Sequence, residues 1–151
     1  MEKYLVYLII LISILAVLAI MTSNAPVTGY LTLSPGNIAT CGNITSAGTY
    51  TLTANVANAS SCFNITAQNM TLNCAGFNIT GQNATNTYGI NLTDSSNITI
   101  VNCMISNYTE GIFLNNTNSS SLRNITSYNN SKNGIAVQFS SRNNISNITA
   151  Y

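Results

Sequence analysis

Few residue types in this chain can do chemistry: its 151 residues hold three acidic side chains, four basic ones and no histidine. Cleaving or epimerising a polysaccharide takes two carboxylates facing one bond, or a carboxylate-held Ca²⁺ with a base beside it. Past residue 22 the carboxylates are Asp94 and Glu110, and the bases are Arg123, Lys132 and Arg142. Asp94 follows the Gly-Ile-Asn-Leu phrase at Gly89, whereas Glu110 directly precedes Gly111, so the two occupy different positions of the repeat described below. Both read as solvated turn charges, and no catalytic residue is expected. A soft or borderline metal needs clustered His, Cys or Met. Histidine is absent and Met70 and Met104 read as core residues, so neither a metal nor another cofactor is expected.

The side chains present in quantity are amides and hydroxyls. Asn-x-Ser/Thr occurs fifteen times, more often than the Ser and Thr content alone would give, and never with proline in the middle. Asn43, Asn58, Asn83, Asn107 and Asn118 are the candidate glycan acceptors, because a glycan needs an exposed amide. Among the tyrosines, Tyr88, Tyr108, Tyr128 and Tyr151 offer faces on which sugar rings could stack, but only Tyr128 and Tyr151 share a repeat position. Those two are the candidate sugar-stacking residues, although tyrosines covering a wall account for the pattern as well.

A repeat must position all of these. `YGINL` at Tyr88, `EGIFL` at Glu110 and `NGIAV` at Asn133 place Gly89, Gly111 and Gly134 at intervals of 22 and 23 residues. Each phrase runs through a Ser/Asn-rich turn into a second alternating stretch: `NITIVNCMIS`, `SSLRNITS` and `NNISNITAY`. Alternation with a period of two marks half-buried strands, and no segment after Met21 has helical spacing. Short strands recurring every twenty-odd residues cannot bury their apolar faces alone, so successive coils must stack. The expected fold is all-β, a parallel β-helix of about four coils. Ile90, Ile112 and Ile135 then form one core column, and Leu92, Leu114 and Val137 another. Ile100, Leu122 and Ile145 form a third, and Cys103, Ile125 and Ile148 a fourth, in which Cys103 reads mainly as packing. Asn102, Asn124 and Asn147 form an asparagine ladder, since Asn accepts the left-handed conformation and stacked amides bond along the axis. Upstream, Phe63, Ile65, Met70 and Leu72 fit inward positions of a first coil.

Residues 1–22 carry Lys3 before an apolar run of about seventeen residues. That length lies between a signal-peptide core and a membrane span. Pro26, directly after the small residues at Ser23 and Ala25, tilts the reading towards an uncleaved membrane anchor over a cleaved signal peptide. Residues 23–40 read as a linker and N-terminal strand, and 41–151 as the β-helix. Cys41, Cys62, Cys74 and Cys103 then face an oxidising compartment, where four cysteines allow three pairings. Charged residues are only 5% of the chain and the net charge is +1, which leaves no field for a nucleic acid.

The phrases `GTYTLTANV`, `CFNIT`, `NMTLNCAGFNITG`, `YGINL` and `SSNITIVNCMISN` resemble the right-handed parallel β-helix repeat family, whose members are described as NosD-like or as carbohydrate-binding and sugar-hydrolase repeats. The chain is particularly similar to archaeal surface-protein versions, over the stretch from Cys41 onward. The resemblance implies a Cys41–Cys62 bridge, leaving Cys74 and Cys103 to pair or to remain stacked thiols. The copper suggested by the NosD label does not carry over to residues of this chain. The expected function is that of an exported, surface-displayed structural or adhesive module without catalysis, on the extracellular face of the membrane or secreted. Its expected partners are the membrane, through the first segment, and glycans or other surface proteins. The alternative is a carbohydrate-binding module or a non-catalytic piece of a polysaccharide-processing enzyme. The coil begun at Gly134 is not closed at Tyr151, so either the sequence continues or the open coil pairs with another copy.

Overall fold

The computed structural model describes residues 30–151; the anchor expected in 1–22 and the first part of the 23–40 linker lie outside them. Strand β1 (Gly36–Ile38) opens the described chain. Strands β2 (Gly42–Ile44), β3 (Gly48–Leu52) and β4 (Val56–Ala57) make one turn, and β5 (Phe63–Ile65), β6 (Gln68–Asn73) and β7 (Asn78–Thr80) make the next. The third turn is β8 (Tyr88–Thr93) with the long β9 (Ser96–Ser106), the fourth β10 (Glu110–Asn115) with β11 (Ser121–Tyr128), and the fifth β12 (Asn133–Gln138) with β13 (Asn144–Ala150). All strand pairs are parallel, in two sheets ordered β12-β10-β8-β5-β2 and β1-β3-β6-β9-β11-β13, with β4 and β7 continuing the second sheet alongside β9. This is a parallel β-solenoid of about five turns, one more than the repeat suggested. Phe63, Ile65, Met70 and Leu72 belong to its second turn, because Gly42–Ile44 and Gly48–Leu52 already build a turn beneath them.

The core columns follow the register. Ile44, Ile65, Leu92, Leu114 and Val137 stack in one sheet, and Tyr50, Leu72, Ile100, Leu122 and Ile145 in the other. Ile90, Ile112 and Ile135 are in register, as are Cys103, Ile125 and Ile148. Burial is complete for most of these residues and fades in the fifth turn, where Val137 is 46% exposed. Each fully buried Ile or Leu contributes roughly 1.5–3 kcal/mol.

The glycine column packs backbone against backbone. A Cβ on Gly89 would meet the carbonyl of Gly111 at 2.7 Å, and one on Gly111 would meet that of Gly134 at 2.5 Å and also collide with the Ser127 hydroxyl. Gly81 and Gly89 leave room for a ring: a Cβ on either would press on the Tyr108 side chain, at 2.8 and 3.3 Å. Tyr108 is consequently buried in the core instead of covering the wall. Met104 corrects the opposite expectation, since it alternates outward between Cys103 and Ile105 and is 38% exposed.

Candidate functional site

Left-handed corners and stacked amides dominate the outer wall. Asn102, Asn124 and Asn147 all have positive φ, at 58°, 55° and 51°. Their side chains form a continuous ladder: Asn147 donates to Asn124 at 2.6 Å, Asn124 to Asn102 at 3.0 Å, and Asn102 to Asn73 at 3.2 Å. Asn73 was missed from sequence because an extra loop follows it, but the ladder starts there. Shorter ladders run Asn97 to Asn69 at 2.7 Å and Asn91 to Asn64 to Asn43 at 3.5 and 3.4 Å. Asn116 donates to the Asp94 carboxylate at 2.7 Å, so Asp94 is a ladder member at φ 51°.

Both pairs of cysteines are oxidised. Cys41 bonds Cys62 with 4.7 Å between Cα atoms, and Cys74 bonds Cys103 with 4.8 Å. Stacked coils place equivalent Cα atoms about 4.7–4.9 Å apart, inside the range a disulfide can bridge, so two cysteines in one column are already set for oxidation. Cys103 keeps its inward position and is 1% exposed, but as half of a bridge and not merely as packing. The first bridge ties turn one to turn two, and the second ties turn two to turn three.

Parallel aromatic rings are paired along the axis. Tyr128 and Tyr151 stack with centroids 5.7 Å apart, and Tyr88 stacks on Phe113 at 5.0 Å. At such separations parallel rings must lie offset face to face, since edge-to-edge neighbours need more room. Each ring therefore gives one face to its neighbour. A cleft of about 540 Å³ lies along the fifth turn, between Lys132, Ile135, Val137, Ile145, Ile148 and Tyr151.

The two carboxylates stay apart. Glu110 is in register with Tyr88, the first residue of β8, while Asp94 lies just past the end of that strand. Six residues of extended chain separate these positions, roughly 20 Å, against the ~5–9.5 Å that glycosidic acid–base pairs use. Arg123 projects from β11, and Arg142 lies in the turn before β13 at φ 58°.

The expected glycan acceptors occupy unequal places. Asn43 accepts a ladder bond, Asn58 is tied to Ser60 and Ser61, and Asn118 accepts from Ser141. Asn107 is half-buried, and Asn83 is exposed with no side-chain partner among the described residues.

Residues 29–151 match the model of a family described as periplasmic copper-binding protein (NosD). The chain belongs to the NosD family. No curated protein and no solved structure matches it. Copper, implied by that family's description, does not fit the residues of this NosD chain. It has no histidine, all four thiols are consumed in disulfides, Met70 is a core residue and Met104 stands alone on the wall. Among the described residues no three His, Cys, Asp or Glu side chains converge.

Proposed function

We propose that this NosD-family chain is an exported, surface-displayed module with a structural or adhesive role and no catalysis. The observation that carries this reading is the pair of disulfides stapling the first three turns in series, which use every cysteine in the chain. Such staples form and persist chiefly in oxidising compartments, in keeping with a family described as periplasmic. The wall supports the reading: its polar groups hold one another in ladders, and its carboxylates stand roughly 20 Å apart, too far to flank one glycosidic bond. In the same proposal the apolar segment at residues 1–22 holds the solenoid at the outer face of the membrane, where glycans or other surface proteins meet its wall. N-linked glycans on that wall belong to this reading too.

The test is labelling of intact cells with a membrane-impermeant amine reagent. Lys132, exposed at the start of the fifth turn, reacts before lysis if the solenoid lies outside. Labelling of Lys132 only after lysis would sink the proposal. The carbohydrate-binding alternative is disfavoured by the two ring pairs, which turn faces towards each other instead of presenting a flat platform. Tyr128→Ala accordingly leaves retention on immobilised polysaccharide unchanged.

A further inference from the structure

The fifteen sequons are alike in sequence, but the fold sorts them by the state of the two groups that N-glycosylation requires: the asparagine Nδ2 and the hydroxyl two residues on. In five of them, Asn64, Asn91, Asn97, Asn124 and Asn147, Nδ2 already donates to the asparagine of the coil below. In Asn58 it donates to the Ser61 carbonyl and in Asn78 to Asn55. A sugar on any ladder nitrogen would have to fit between coils about 4.7–4.9 Å apart and would break the ladder. Asn43 and Asn69 are held from the other side, since each Oδ1 accepts the ladder bond of the next coil.

Three more sequons lose their hydroxyl to the interior. Thr109, after Asn107, donates to the Ala84 carbonyl at 3.0 Å. Thr117, after Asn115, is fully buried and donates to Leu92, while Ser120, after Asn118, is 3% exposed and donates to the Asn118 carbonyl.

Asn83, Asn129 and Asn144 remain. Each is exposed, makes no side-chain hydrogen bond among the described residues, and is followed by an exposed hydroxyl at Thr85, Ser131 or Ser146. Asn83 and Asn129 stand on one corner, both left-handed at φ 56° and 52°, with Asn107 (φ 63°) on the coil between them. The Asn83 amide donates to the Asn107 carbonyl at 2.7 Å, and β9 and β11 run in register up to that corner. Two coil spacings, about 9–10 Å, separate the outer pair. That leaves each glycan the width of a sugar ring, which neighbouring coils would not.

We propose that Asn83, Asn129 and Asn144 carry the N-linked oligosaccharides of the folded protein and that the ladder asparagines stay bare. The proposal rests on the export read above and adds to it where the coat is attached. The test is glycopeptide mass spectrometry of the full chain recovered from its own cells, alongside the same chain with Thr85→Ala, Ser131→Ala or Thr126→Ala. Sugar masses are expected on the peptides of Asn83, Asn129 and Asn144 and on no ladder peptide. T85A and S131A each remove one glycan from the intact mass, while T126A, which destroys the Asn124 sequon, removes none. A glycan on a ladder asparagine, or a bare site among the three, overturns the assignment. A sugar-free chain whose Lys132 still labels on intact cells overturns only the glycans; a sugar-free chain that labels only after lysis overturns the export reading with them.

Discussion

Tyr108 buries a hydroxyl that has no hydrogen-bond partner among the described residues. A buried donor left unpaired costs about 1–3 kcal/mol. Tyr108→Phe keeps the ring that fills the space above Gly81 and Gly89 and removes only that cost, so we expect the urea midpoint at pH 7 to rise by the equivalent of about 1 kcal/mol. A fall of similar size would show that the hydroxyl has found a bound water. Burial, with a smaller contribution from Tyr30, pushes this phenol above the ordinary tyrosine value. Its folded-state pKa is thus raised above the unfolded value of about 10. Below pH ~10 both states hold the proton; above it the unfolded chain releases the proton while the fold retains it, so stability falls as pH rises. Tyr50 is raised in the same direction, chiefly by burial. Y108F should therefore flatten, without abolishing, the loss of stability above pH ~10, as read from denaturation midpoints across that range. An unchanged alkaline slope would refute the role given to Tyr108.

At the scale of the strand and its corner, Asn124 serves two purposes: it turns the chain at φ 55° and it both accepts and donates in the ladder. Alanine there loses both, at about 1–2 kcal/mol for the left-handed backbone and about 0.5–1.5 kcal/mol for each amide bond. Glycine keeps the backbone freedom and loses only the bonds. We expect Asn124→Ala to destabilise by about 2–5 kcal/mol and Asn124→Gly by clearly less, measured by thermal unfolding; equal losses would mean that the corner conformation carries no strain. The glycine column behaves differently, because space is what it lacks. Gly111→Ala drives a Cβ into the Gly134 carbonyl and the Ser127 hydroxyl, and backbone cannot yield as a side-chain tip can. A loss of at least the 1–3 kcal/mol typical of overpacking is expected.

Across the whole molecule the covalent links are unevenly placed. Loops of 21 and 29 residues are closed by Cys41–Cys62 and Cys74–Cys103, each worth about 3 kcal/mol in the chain-entropy estimate. Both lie in the first three turns, and the fourth and fifth are held by pairing and packing alone. Solenoid stability is close to a sum over repeats and their interfaces, so the oxidised protein should fray from β12 and β13 inward. Hydrogen exchange should find β3, β6 and β9 the most protected strands, and reduction should lower their protection while leaving β12 and β13 nearly unchanged. Uniform loss along the solenoid would indicate all-or-none unfolding of a single unit instead.

Period and alternation are local properties, so the sequence by itself determined the parallel solenoid, its core columns from Ile90 to Ile148 and the ladder Asn102–Asn124–Asn147. Identical coils must stack in the register that their own repeats define. What breaks the repeat was decided only in three dimensions. Between β6 and β7 the loop Cys74–Phe77 opposes just Asn102 and Cys103, which brings Cys74 to Cys103 across 29 residues instead of the usual 22 or 23 and masks in the sequence repeat that Asn73 begins the ladder. Tyr108 and Met104 exchanged their expected places for a related reason. Glycines on neighbouring coils open a space that accepts a ring, and the alternation after the Asn102 corner turns Met104 outward. Which sequons are free was likewise invisible in a motif of three residues, because it depends on whether the coil above or below has already taken the amide or the hydroxyl.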